Sequence, residues 1–166
     1  HEFYVDDKYT DIRIRCQYQI FKCHRIILAA ASKYFDTMFY GGLGNFEESH
    51  LDEISLHDID VVAFEEVLRF AYKGVVRISD DNVYNLLHVS EMLGLIFVEN
   101  ECVRYLTDYD IPANYALDIF LFAHSLQKIS LIPVVSRYIW RNLDRYSRHK
   151  DFLKISFEEL KTLLAH

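Results

Sequence analysis

Glycine and proline are scarce in this chain, at 5 and 2 of 166 residues. That excludes collagen-like, polyproline and Gly/Pro-rich disordered classes. Cysteine is also sparse. Cys16, Cys23 and Cys102 are odd in number and lack a short paired spacing, which excludes a disulfide framework and a zinc-finger set. Cys16 and Cys23 fall at apolar positions of predicted strands, so both read as small buried hydrophobes of a protein in a reducing compartment, cytosol or nucleus. Positive charge is the minority: Lys+Arg number 18 against 25 Asp+Glu, for a net charge of -7. Nucleic acid is therefore not an expected partner, because phosphate contacts need clustered cations. The one basic stretch, residues 137–150, carries Arg137, Arg141, Arg145, Arg148 and Lys150, and it reads as a solvated helix face. Apolar runs at 28–31 and 119–123 are short and interrupted, so no membrane partner is expected either. The start, His1-Glu2-Phe3-Tyr4, has no signal-peptide pattern. It also lacks an initiator methionine, which marks the chain as an expected excerpt.

Apolar residues are plentiful. Hydrophobic content is 51% and aromatic content 15%, ample for a core in one domain or one domain and a fragment. Alternation predicts a strand over 11–16, with Ile12, Ile14 and Cys16 on one face and Arg13 and Arg15 on the other. A second strand follows at 20–23 after a turn, 17–19, that has neither Gly nor Asn. Helical turns at 24–31 lead to Ser32, whose hydroxyl suits a helix N-cap. Tyr34, Phe35, Met38 and Phe39 then share an apolar helix face. Residues 41–45 hold three of the five glycines and read as a loop. A third strand is expected at 51–56. The next helix is capped by Asp58 or Asp60, turns Val61, Phe64, Val67, Leu68 and Ala71 inward, and stops at Gly74. Further helices are expected at 81–93, 96–107, 114–126, 131–145 and 156–164. Ile111-Pro112 interrupts this series, and a domain boundary is placed there. Strands first and helices afterwards describe an α+β domain with an all-α extension.

Catalytic chemistry lacks its usual patterns. His24, His50, His57, His88, His124 and His149 show no metal-binding spacing, and Gly41-Gly42-Leu43-Gly44 is not followed by Gly-Lys-Ser/Thr. Ser32, Ser79, Ser90 and Ser125 lack a nucleophile-elbow context. No enzyme, cofactor or metal is expected. His24, lone in an apolar run, reads as a corner residue bonded to a neighbouring group.

The segment 21–39, FKCHRIILAAASKYFDTMF, resembles the core signature of the BTB (POZ) domain in its "F-x-x-H-R" and following "I-L-A-A-x-S-x-Y-F". Tyr9-Thr10-Asp11-Ile12-Arg13-Ile14 is similar to that family's first core strand. Phe70-Ala71-Tyr72-Lys73-Gly74 resembles its "Y-T-G" turn, with lysine for threonine at an exposed position. Residues 82–95 resemble its next helix and its "L-G-L" ending. The resemblance covers about residues 9–107 and implies a BTB/POZ fold, a small three-stranded sheet flanked by helices, over 1–110. Over 111–166 the chain resembles the start of a BACK domain, through ALDIFLFAHSL at 116–126 and FLKISFEEL at 152–160. FYGGL at 39–43 echoes BTB-BACK proteins without kelch repeats.

The family resemblance also carries functional expectations. Phe46-Glu47-Glu48 is similar to the "hydrophobic-x-Glu" motif of BTB adaptors that recruit cullin-3, with Phe46 as the apolar residue and Glu48 as the acid. From the pattern alone, Phe46 either folds onto the core or anchors a partner; the resemblance favours the partner. Tyr84, Asn85 and His88 form a second expected cullin contact on the helix after Gly74. Asp11 and Arg25 are expected as a semi-buried charge pair at the family's dimer interface. Phe3, Tyr4 and Val5 are expected as the apolar end of its dimerising helix. The implied function is a non-catalytic substrate adaptor of a cullin-3 RING ubiquitin ligase. It would form a homodimer and reach an unknown substrate through a module outside this chain. The alternative is an oligomerisation module of a transcriptional regulator or other scaffold without cullin.

Overall fold

The computed structural model describes residues 9–41, 51–109, 111–128, 131–148, 150 and 152–165. Alternation dictates the sheet. β1 (Ile12–Cys16), β2 (Gln19–Cys23) and β3 (Glu53–Leu56) lie in the order β2-β1-β3. β1 runs antiparallel to β2, with Ile14 opposite Phe21, and parallel to β3, with Ile14 opposite Ile54. Ile12, Ile14, Cys16, Phe21, Cys23, Ile54 and Leu56 are all buried, as the period of two requires. On the outer face Arg15 donates to Glu53 at 2.8 Å across the parallel pair. The β1–β2 turn has no glycine, so Gln17 itself takes the left-handed conformation at φ 52. Its side chain is tied down, donating to the Ile59 carbonyl at 3.1 Å.

Helices α1 (Arg25–Ala31) and α2 (Lys33–Tyr40) break at Ser32, which caps α2 by accepting from the Phe35 N–H. α3 (Val61–Lys73) is capped by Asp60, of the two aspartates expected there, and ends at Gly74 with φ 69. Glycine meets no steric penalty in that left-handed position, and its N–H closes the helix on Phe70. Val61, Phe64, Val67 and Leu68 are buried, and Phe64 meets Phe21 edge-on at 5.3 Å. Each such side chain contributes about 1.5–3 kcal/mol by leaving water. α4 (Val83–Met92) and α5 (Ile96–Asp108) follow. Buried Glu66 holds the α3–α4 connection, accepting from Arg69 Nε at 3.1 Å and from the Arg77 N–H at 3.0 Å.

The remainder is helical: α6 (Ala116–Ser125), α7 (Ile132–Arg141), α8 (Leu143–Tyr146), a 3-10 turn at Phe152–Lys154, and α9 (Phe157–Leu164). The expected helix over 131–145 is two helices, because Asn142 leaves helical geometry at φ -116, ψ 27. α9 opens with a capping box of Ser156 and Glu159. The chain packs as two compact units, His1–Cys102 and Val103–His166, and the division falls within α5. No helix among the described residues is long and apolar enough to cross a membrane.

Candidate protein-interaction site

One groove of the first unit starts from a serine. Ser32 Oγ accepts from the Phe35 N–H at 3.2 Å and donates to the Leu93 carbonyl at 2.6 Å. The hydroxyl therefore caps α2 and ties it to the end of α4. The Tyr34 N–H points to the same carbonyl at 3.4 Å. The turn out of α4 passes close to α2: Gly94 has φ 65, and a Cβ there would lie 3.2 Å from Lys33 Cβ. Glycine is required by both the backbone angle and the approach. The result is a groove of about 600 Å³ lined by Lys33, Tyr34, Thr37, Met38, Glu91, Met92 and Gly94. Two methionines give its walls adaptable apolar surface. Lys33 is held at the rim by Asp36 at 2.9 Å.

Tyr34 and Met38 read from the sequence as part of one apolar helix face. Only the inner half of that face is core: Phe35 is 0% and Phe39 7% exposed, whereas Tyr34 is 38% exposed. A helix buries a stripe and not its circumference, and Tyr34 lies outside the stripe. Lys33, Thr37, Glu91, Met92 and Gly94 are lining residues that the sequence reading missed. Among them, Met92 is a large apolar residue that is 41% exposed, with nothing in its sequence context to mark it. It lies one and two turns from His88 and Tyr84.

Of the residues expected to bind cullin, Tyr84, Asn85 and His88 are half-buried on α4. Tyr84 and His88 are four apart, and Glu91 and Met92 continue the same face toward the groove. Phe46 and Glu48 lie outside the described residues, as do Phe3, Tyr4 and Val5 of the expected dimer contact.

Asp11 and Arg25 do meet, but not as a carboxylate–guanidinium pair. Asp11 Oδ1 accepts from the Arg25 backbone N–H at 2.8 Å, while Arg25 Nε donates to the Asp11 carbonyl at 3.4 Å. The physical reason is the helix start. Arg25 is the first residue of α1, and His24 supplies no side-chain cap, so the free N–H draws the carboxylate. The guanidinium donates to the Leu51 carbonyl and lies 4.8 Å from the centre of the Phe39 ring, while its Nη1 is buried without a hydrogen-bond partner.

Next to this corner, His24 Nδ1 and Tyr72 Oη are 2.8 Å apart, and the same hydroxyl accepts from the His24 N–H at 3.0 Å. Burial pushes the Tyr72 hydroxyl up to about 12. Burial likewise raises Cys16 to about 11 and Cys23 and Cys102 to about 12. These thiols are protonated at neutral pH and are poor nucleophiles. Among the described residues no group of His, Cys, Asp and Glu is arranged to hold a metal ion.

A small mixed sheet flanked by helices has known counterparts. The BTB/POZ domain family model matches residues 1–110. The chain belongs to the BTB/POZ family. The BTB domain of zebrafish PATZ1 superposes with a TM-score of 0.54 over 62% of this chain and 80% of that one, at 23% identity, and shares the fold. Kelch-like protein 21 of Danio rerio is 29% identical over 96% of this chain. Kelch-like protein 23 of Mus musculus is 31% identical over 98% of it. The chain spans 25% and 29% of those two proteins. Both are named Kelch-like, unlike the kin without kelch repeats that FYGGL at 39–43 leads one to expect. As a BTB/POZ protein with Kelch-like relatives, the chain is a protein-interaction module.

Proposed function

We propose that this chain is the cullin-binding and dimerising part of a substrate adaptor for a cullin-3 RING ubiquitin ligase. The observation that supports this reading best is the α2–α4 groove. Its Met38 and Met92 give apolar contact area beside the Tyr84–His88 face, and the Phe46–Glu48 motif follows α2 closely in sequence. Phe46 is the central aromatic of the contact, Glu48 its acidic partner residue, and Asn85 adds a polar rim contact. Residues 1–110 form the BTB domain and residues 111–166 the start of a BACK domain. Phe3, Tyr4 and Val5, with the Asp11–Arg25 corner, form a two-fold contact between copies. The adaptor transfers no ubiquitin. It raises the local concentration of a substrate that is held by a module outside this chain, and the dimer doubles the number of capture arms. Its compartment is the cytosol or nucleus, in keeping with three buried, unpaired thiols.

Immobilised chain should retain purified cullin-3, and light scattering should find about 40 kDa, twice the 19.7 kDa chain. Retention should fall when Met38 and Met92 are both changed to serine. A dimer that retains no cullin-3 would favour an oligomerisation module of a different kind of scaffold.

A further inference from the structure

The basic stretch that reads as a solvated face is more structured than that. The two units differ in charge: the first holds 9 Lys+Arg against 18 Asp+Glu, and the second holds 9 against 7. Within the second unit a cavity of about 220 Å³ lies between the end of α5 and α7. Its apolar lining comes from Leu106, Ile111 and Val134, and its polar lining includes Tyr109, Arg137 and Arg141. Arg137 and Arg141 are one helical turn apart, so their guanidiniums flank the same opening. Both are exposed, and among the described residues neither has a carboxylate within ion-pair distance. Tyr109 is 65% exposed and is held by stacking on Tyr105 at 4.9 Å.

Arg137 and Arg141 leave this opening positively charged in a chain of net charge -7, which suits an acidic partner. The cavity is smaller than the roughly 300 Å³ at which small-molecule and cofactor sites begin. It suits a single apolar side chain. The planar guanidiniums would take carboxylates on either side of that residue, with two-pronged hydrogen bonds. We propose that this cleft docks an acidic segment of a partner protein, with one apolar side chain in the cavity and flanking carboxylates on Arg137 and Arg141. The proposal rests on the second unit alone and stands whether or not the first unit binds cullin-3. A nucleic acid fits the observations less well. Two arginines neutralise few phosphates.

The test uses the whole chain and a fluorescein-labelled Glu-Glu-Leu-Glu-Glu peptide, read by fluorescence anisotropy. Saturable binding that weakens with added salt is expected. Arg137→Ala with Arg141→Ala should lower affinity at least about tenfold, since each lost charge-assisted bond counts strongly. Replacing the peptide leucine with serine should also weaken binding. Arg77→Ala, in the other unit, should change nothing. Circular dichroism melts of the double variant should match wild type. Absence of binding, equal affinity of wild type and double variant, or full displacement by a single-stranded oligonucleotide would each overturn the proposal.

Discussion

The two units are held together differently. In the first, side chains reach across long stretches of sequence: Ser32 to Leu93, Cys16 to Ile59, His24 to Tyr72 and Arg15 to Glu53. In the second, several side-chain bonds stay within one helical turn, as in Thr107 to Val103, Ser125 to Phe122, Asn142 to Tyr138 and Lys161 to Glu158. Tyr146, which donates to the Ala113 carbonyl at 2.9 Å, is a long-range exception. A sheet cannot form without distant partners, whereas a helix satisfies its own backbone. The first unit is therefore specified by cross-ties and the second by local signals and apolar stripes. In the first unit one such cross-tie, Ser32 to Leu93, borders the α2–α4 groove.

The comparison is broken most severely in the core of the first unit. Phe64 is fully buried against Phe21. Phe64→Ala should cost about 3–5 kcal/mol, read by urea unfolding. Ser32→Ala removes a cap and a cross-tie together and leaves the Leu93 carbonyl with only the longer Tyr34 N–H contact. It should cost about 2 kcal/mol. Ser156→Ala removes only the local capping box of α9, for about 1 kcal/mol. Equal costs for the two serines would contradict the distinction between the units.

The smallest effect is a pH dependence. The Glu159 carboxyl is held below its ordinary value of 4.5 because the Ser156 side chain and backbone bond it. A carboxylate with a depressed folded pKa stabilises above its unfolded pKa, and that stability is lost as pH falls through the folded pKa. The thermal midpoint should therefore fall more for wild type than for Glu159→Gln between neutral pH and about pH 3. Parallel curves would show that the capping box is not carrying the effect.

Much of this fold is legible in the sequence because its signals are local. Alternation marks β1, Ser32 marks the start of α2, one of Asp58 and Asp60 marks the start of α3, and Gly74 marks its end. The groove was not legible, since it depends on Leu93 and Gly94 returning to Ser32 and Lys33 across some sixty residues. Pattern could not separate Tyr34 from Phe35, because neighbouring positions on one helix differ in burial only once the partner element is placed. Asp11 and Arg25 were recognised as neighbours, but a helix N-terminus competing for the carboxylate changes the contact. Asp11→Asn and Arg25→Met should accordingly be close to additive in a double-mutant cycle, within about 0.5 kcal/mol.

The central claim is the cullin contact, and calorimetry tests it most directly. Purified cullin-3 titrated into the wild-type chain should bind in the nanomolar to micromolar range. Phe46→Ala should weaken that binding roughly thirty-fold, the loss expected of a central aromatic hot spot of about 2 kcal/mol, with the thermal midpoint nearly unchanged. Equal affinities for the two proteins, or no heat of binding from the wild type, would contradict it.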